Sequence, residues 1–399
     1  MQKAASLPLP PADAQAASDT LTARIGESID AAGGWIGFDR YMALALYAPG
    51  LGYYSGGSAK FGRDARDGSD FITAPELSPF FARTLARQFA PLLAQGLPRL
   101  LEFGAGTGRL AADLLLGLEQ EGQLPDTYAI VELSGELRAR QQDTLARRAP
   151  HLAERVTWLD TLPVAFEGVI VGNEVLDAMP VQLYARNGGH WHERGVARSA
   201  LPADSGAPAF RFDDRALAAA DVPAALRAIP GDHDLVTETH AEAEGFTRAV
   251  GAMLARGAAF FIDYGFPGSE YYHPQRAGGT LMCHYRHHAH PDPFLYPGLQ
   301  DITAHVNFSG IAHAAVESGL SVAGFASQAR FLMNAGITEL LMALDPSDAR
   351  AFLPQANAVQ KLLSEAEMGE LFKVIALTRG LDDTEPLAGF ARGDRCHAL

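Results

Sequence analysis

The chain has 399 residues, enough for two or three domains or one large α/β domain with insertions; 48% are apolar and 20% charged, which argues against a mostly disordered chain. Thirty-two Lys and Arg stand against 47 Asp and Glu, and the net charge of −15 disfavours a sequence-independent nucleic-acid grip or a polybasic membrane anchor. Cys283 and Cys396 are too far apart for a CxxC site, and no apolar run reaches the ~20 residues of a spanning helix, so a soluble cytoplasmic protein without membrane insertion is expected.

Residues 1–17, rich in Ala and Pro, read as a disordered tail with no signal or transit pattern. Order is expected from Ser18, which caps a helix carrying Leu21, Ile25 and Ile29 on one face and stopped by Gly33-Gly34. A helical cover segment over 18–95 leads into a main domain over 96–380, followed by a tail over 381–399. Within the main domain, strands are expected at Arg99–Phe103, Tyr128–Glu132, Val156–Leu159, Gly168–Gly172, Ala258–Asp263, Val322–Ala326 and Lys373–Leu377. Short apolar runs such as Val169-Ile170-Val171, alternating with helical periods such as Leu110, Leu114 and Leu118, predict a parallel sheet with helices on both faces. Residues 181–237 break this alternation and read as an insertion after the fourth strand, with an amphipathic hint at Gln182–Val196. A lid-like segment is expected over 266–310, and a helix-rich stretch over Gly336–Glu370.

The sharpest local signal is Leu100-Leu101-Glu102-Phe103-Gly104-Ala105-Gly106-Thr107-Gly108, an apolar strand running through three alternate glycines into a helix at Arg109. A dinucleotide fingerprint has its third glycine three residues after the second, where this chain has Arg109. The pattern looks instead like the S-adenosylmethionine loop of Rossmann-like methyltransferases, whose cofactor has no pyrophosphate to cradle. Glu102 is then a candidate to orient the methionine ammonium. Glu132, ending the second strand, is a candidate acceptor for the ribose hydroxyls. The fourth strand ends in Asn173-Glu174, with Asp177 three residues on, and the fifth ends in Asp263. Strand ends of this kind bind ligands in doubly wound sheets. Glu174 and Asp177 could equally cap a turn before Pro180, and Asp263 could equally anchor the turn that follows it.

Four further stretches carry a family resemblance. Phe38-Asp39-Arg40-Tyr41-Met42, Gly52-Tyr53-Tyr54, Asp70-Phe71-Ile72-Thr73-Ala74-Pro75-Glu76-Leu77-Ser78 and Met368-Gly369-Glu370-Leu371-Phe372-Lys373-Val374 join the glycine loop, Val131-Glu132-Leu133-Ser134 and Asn173 to Pro180. Together they resemble the MidA-like methyltransferases from about residue 20 to 380. The resemblance implies a Rossmann-like S-adenosyl-L-methionine-dependent methyltransferase domain. It places Thr73, Glu76, Glu102, Gly104, Ala105, Gly106, Gly108, Glu132, Leu133 and Asn173 at the cofactor, and Glu174, Asp177, Asn173 and Asp263 at the methyl acceptor. Because the mitochondrial member is a protein arginine methyltransferase acting on a respiratory complex I subunit, it further implies a protein substrate carrying an arginine. One departure is the stretch Lys60–Asp70, where the family more often has a shorter loop with glycine immediately before the aspartate and this chain has Ser69.

Glu193 is a weaker candidate acid, and Tyr41, Tyr47, Tyr53 and Tyr54 read either as a cover over the cofactor or as core packing. Of His284, His287, His288 and His290, His287 and His290 have helical spacing for two ligands, but Arg286 sits among them and no metal site is expected. Two other functions stay open: a small-molecule methyltransferase, and a non-catalytic assembly partner that keeps the cofactor fold.

Overall fold

The computed structural model describes residues 7–56, 73–200, 208–381 and 387–399. The departure at Lys60–Asp70 lies outside the described residues. The chain divides into two compact units, one formed by residues 1–71, 178–243 and 269–305, the other by 72–177, 244–268 and 306–399. This division cuts across the expected boundaries: the cover segment splits near residue 71, and the insertion and the lid-like segment fall together in the first unit.

The second unit is built on an eight-stranded sheet, in which the short strand Val306–Asn307 pairs with the end of the fifth of seven main strands, numbered here β1 (Arg99–Phe103), β2 (Thr127–Val131), β3 (Val156–Leu159), β4 (Phe166–Asn173), β5 (Leu254–Phe266), β6 (Ser321–Ser327) and β7 (Phe372–Arg379). Their order is β6-β7-β5-β4-β1-β2-β3. All seven expected strands are present, two with unchanged bounds and the others with ends shifted by at most four residues. The pairings β5–β4, β4–β1, β1–β2 and β2–β3 are parallel, whereas β7 runs antiparallel to both β5 and β6. The sheet is therefore mixed, which corrects the expectation of a parallel one. The helices between β6 and β7, among them Gln328–Asn334 and Ala349–Leu363, return the chain to the sheet edge it left, so β7 enters in the opposite direction. Successive residues of β5 face opposite sides. Phe260 meets Phe89 of helix Pro79–Ala94, and Phe261 meets Phe246 of helix Ala241–Met253, with ring centroids 4.9 and 5.7 Å apart. Helices thus cover both faces.

From β1 the chain builds outward through β2 to β3, then returns to place β4 on the other side of β1. That reversal makes the topological switch point at which doubly wound sheets bind ligands. Register brings the candidate residues to one edge: Phe103 lies opposite both Val131 and Gly172, and Asn173 opposite Ile262. Gly104, Glu132 and Asn173 consequently lie one step past the row formed by Phe103, Val131 and Gly172.

In the first unit, helix Ala12–Ala31 starts six residues before Ser18, which is buried within it rather than capping it. The run Ala12-Asp13-Ala14-Gln15-Ala16-Ala17 has high helix propensity once Pro11 is passed, so the expected disordered tail is helical from Ala12 onward. Leu21, Ile25 and Ile29 are fully buried, and Gly33 and Gly34 end the helix with positive φ. The amphipathic hint at Gln182–Val196 is a β-hairpin, Gln182–Asn187 with His190–Arg198, turning through Gly188-Gly189 with φ of 56° and 79°. Strands Phe210–Ala216, Leu235–Thr239 and Ile36–Gly37 complete this antiparallel sheet. Tyr41 and Tyr53 belong to the core under it, whereas Tyr47 stacks on Tyr54 and stays partly exposed.

The histidine segment is also a hairpin, Met282–Tyr285 with His288–His290, which turns through Arg286 and His287 in left-handed conformation. The helical spacing read for His287 and His290 is therefore not realised. Among the described residues no group of three or more His, Cys, Asp or Glu could hold a metal ion.

Candidate functional site

The glycine loop leaves β1 with φ of 66° at Gly104, 50° at Gly106 and 80° at Gly108, values that L side chains rarely adopt. Each glycine has its own surroundings. A Cβ on Gly104 would press on Val175 Cγ2 at 2.8 Å, and one on Gly108 would lie 2.9 Å from Gln141 Cα. A Cβ on Gly106 would meet nothing within 4 Å, so the loop offers open space at its centre for a ligand to approach the main chain. Ala105 is buried and its carbonyl closes the turn by accepting from Gly108 N at 2.7 Å.

Arg109, which stands where a dinucleotide loop would have glycine, is buried and ion-paired to Asp113 at 2.6 Å. Asp113 also accepts from Arg148 at 2.6 Å, so the first turn of helix Arg109–Gln120 is locked from the neighbouring helix. On the other side, Glu76 of the short helix Ala74–Leu77 accepts from Thr107 Oγ1 at 2.5 Å, and its second oxygen lies 3.9 Å from Arg109 Nη1. Glu76 therefore reaches the glycine loop through Thr107. Thr73 occupies the N-cap of that helix without a side-chain cap bond.

Glu132 follows β2 and is held at both oxygens. Oε1 accepts from Ser134 N at 2.9 Å, and Oε2 accepts from Gln141 Nε2 at 3.1 Å. One lone pair remains on each oxygen, enough for two vicinal hydroxyl donors. Beside it Leu133 is 77% exposed, an apolar surface suited to a flat base. Glu102 is placed differently from a ligand-facing acid: it is buried, and its Oε2 accepts from Tyr128 OH at 2.6 Å. Burial pushes its carboxyl up to about 7, against the pull of the Tyr128 hydrogen bond. Through Tyr128 it ties β1 to β2 beneath the loop.

At the end of β4, Asn173 Nδ2 donates to Glu174 Oε1 at 2.9 Å, while its Oδ1 is buried without a hydrogen-bond partner. The reverse amide orientation would set two acceptors against each other, so the unpaired atom is an acceptor. Glu174 has φ of 54°, strained for a non-glycine residue and typical of functional turns. Its N–H is anchored on Ile262 O at 2.9 Å.

Asp263 anchors the rest of that loop. Its Oδ2 accepts from the backbone N–H groups of Val175, Leu176 and Asp177 at 3.1, 2.9 and 3.2 Å, and Oδ1 accepts from Tyr264 N at 3.0 Å. Burial pushes its carboxyl well above the usual range, as do the charges of Asp177 and Glu174, against those backbone donors. Of its two readings, anchor and site-facing acid, the structure supports the anchor. Asp177 is buried beside it. Glu193 belongs to the first unit, on strand His190–Arg198, where burial and then the charge of Asp39 raise its carboxyl against the pull of Arg215.

Gln141, Thr107 and Trp158 carry no signal in the sequence and were not among the candidates. Each acts through hydrogen bonds to residues remote in the chain, and no local motif announces that.

The assembled parts are an open glycine turn with positive φ, a carboxylate ready for vicinal hydroxyls and an exposed leucine. They suit an adenosine nucleoside with an amino-acid tail. Comparisons with known proteins agree. A family model of S-adenosyl-L-methionine-dependent methyltransferases matches residues 82–326. A crystal structure of a protein from Burkholderia thailandensis bound to S-adenosyl-homocysteine is 64% identical to this chain; the match covers 99% of this chain and 100% of that one, with a TM-score of 0.94. The chain is 29% identical to the mitochondrial protein arginine methyltransferase NDUFAF7 homolog of Drosophila melanogaster, over 88% of this chain and 84% of that protein. It is 28% identical to the mitochondrial protein arginine methyltransferase NDUFAF7 of Homo sapiens, over 84% and 78%.

Proposed function

We propose that this chain, which belongs to the family of S-adenosyl-L-methionine-dependent methyltransferases, methylates a guanidinium nitrogen of an arginine in a protein. The cofactor supplies an electrophilic methyl group on a sulfonium, and an in-line displacement needs chiefly alignment from the protein. An arginine side chain is protonated at neutral pH, with a pKa above about 12, so its nitrogen lone pair is scarce.

The observation that carries this reading is the pair Asn173 and Glu174. Asn173 Oδ1 is a buried acceptor without a partner, and the Glu174 carboxylate lies next to it, oriented by Asn173 Nδ2. Two adjacent acceptors at the carboxyl end of β4 suit a group that has only N–H donors. A guanidinium presents five such donors in a fixed fork. Glu174 would localise the guanidinium charge on one side and leave the opposite nitrogen to attack, and would accept the proton released during or after transfer. Glu132 and Leu133 would hold the nucleoside, and the glycine loop, braced by Glu76 through Thr107, would receive the amino-acid tail.

The names of the relatives support a protein client, and the family resemblance extends the proposal to a homologue of a respiratory complex I subunit. The test is methyl transfer from labelled S-adenosylmethionine to extract from a strain lacking the protein, with the modified residue identified by mass spectrometry. Methylarginine appearing in a protein is the expected result. Label that enters only metabolites would instead favour a small-molecule methyltransferase. No S-adenosyl-homocysteine above background with any extract would favour a non-catalytic assembly partner.

A further inference from the structure

Gln141 lies in the middle of helix Gly135–Arg148 and is completely buried. Its Nε2 donates to Gly106 O at 3.2 Å and to Glu132 Oε2 at 3.1 Å, and its Oε1 accepts from Trp158 Nε1 at 2.8 Å. The orientation of the amide is forced. Gly106 O and the Glu132 carboxylate can only accept, and an indole N–H can only donate. The approach is made possible by Gly108, because a Cβ there would lie 2.9 Å from Gln141 Cα and push the helix away. One side chain therefore joins the centre of the glycine loop, the acid after β2 and the end of β3.

We infer that Gln141 is a positioning residue that couples the glycine loop to the ribose acceptor, fixing the Glu132 carboxylate so that the site discriminates for the ribose 2′-hydroxyl. The inference rests on Glu132 as the ribose acceptor. With Oε1 held by Ser134 N and Oε2 held by Gln141, the carboxylate cannot rotate, and its two free lone pairs point in fixed directions. Without the amide, Oε2 has no protein donor, the carboxylate swings on Ser134 alone, and the Gly106 carbonyl is freed to tilt. Discrimination by a buried hydrogen bond then fades, because it depends on an acceptor that is held in place and would be left unpaired by the wrong ligand.

The experiment measures the affinity of the purified chain for S-adenosyl-homocysteine and for its 2′-deoxy analogue by calorimetry, together with thermal melting without ligand. Wild type is expected to prefer the hydroxylated ligand by about tenfold or more, as for a hydrogen bond to a charged acceptor. Gln141→Leu is expected to weaken S-adenosyl-homocysteine about 10- to 100-fold while the preference shrinks to within about threefold. Gln141→Glu, nearly isosteric and still able to accept from Trp158, serves if the leucine variant does not fold, and should show the same collapse of preference. A packing role alone would weaken both ligands by one factor. A folded variant that keeps the wild-type preference overturns the inference. If wild type itself shows no preference, the ribose reading of Glu132 fails and the inference fails with it, and the wild-type measurement tells the two failures apart.

Discussion

Asp263 on β5 holds Leu176 in the loop after β4: the Leu176 N–H donates to Asp263 Oδ2 at 2.9 Å, and the flanking N–H groups of Val175 and Asp177 converge on the same oxygen. This contact ties together two adjacent strands that are far apart in the chain. It also lets Glu174 keep its left-handed φ of 54°, because the residues after it have nowhere else to bond.

Removing that anchor leaves several buried N–H groups without acceptors. Asp263→Ala is expected to destabilise the protein by about 3 kcal/mol, each buried unpaired donor costing about 1–3 kcal/mol less any relaxation. Asp263→Asn keeps one acceptor oxygen and should recover most of the loss. Urea unfolding of both variants checks this, and a stability for Asp263→Ala within about 0.5 kcal/mol of wild type would contradict it.

Glu102 makes a pH prediction. Its folded-state pKa of about 7 is raised above the ordinary 4.5, so the folded protein binds the proton more tightly than the unfolded chain does. The group's contribution is fully present below about pH 4.5 and is lost as pH rises through 7. Glu102→Gln is neutral throughout and can still accept from Tyr128. The stability of this variant relative to wild type should therefore grow between about pH 5 and pH 8 by about 2–3 kcal/mol, since a tenfold difference in proton affinity is worth about 1.4 kcal/mol. Denaturant titrations at both pH values test the sign as well as the size. A difference that stays flat would mean the carboxyl is not perturbed.

Two substitutions probe the cofactor end. Gly106→Val forces a β-branched residue to φ of 50° and fills the open space over the loop, while Glu132→Ala removes the acceptor for the ribose hydroxyls. Each should weaken S-adenosyl-homocysteine by about 100-fold or more in a protein that still melts cooperatively. Wild-type affinity in both variants would remove the glycine loop and Glu132 from the cofactor site.

Much of this was legible in the amino-acid order. Apolar runs such as Val169-Ile170-Val171 located several of the strands because a strand covered on both faces is largely apolar. The acids after β2 and β4 were placed by their position just past such runs. Strand direction was not legible, since the apolar run Val374–Leu377 reads the same whichever way β7 enters the sheet. The hairpin at Gln182–Arg198 was missed for a related reason, its alternation being weak where Tyr184, Ala185 and Arg186 are all buried. Glu102 and Asp263 were recognised as special residues, but their roles depend on partners across the sheet. Tyr128 is 26 positions from Glu102, and Leu176 is 87 from Asp263. Gln141 had no local signal at all, because its amide is defined by Gly106 and Trp158, which only the fold brings to it.

The central claim, that Glu174 holds a protein arginine for methylation, is tested most directly by comparing wild type with Glu174→Gln. Each is incubated with labelled cofactor and extract from a strain lacking the protein, and methylarginine is quantified by mass spectrometry. Wild type should form methylarginine in a protein. Glu174→Gln should form it about 100-fold more slowly, in the range of a lost positioned acid or base, with S-adenosyl-homocysteine affinity within about threefold of wild type because the ribose and loop contacts lie elsewhere. Full activity in Glu174→Gln, or a wild type that methylates no arginine in any protein, would contradict it.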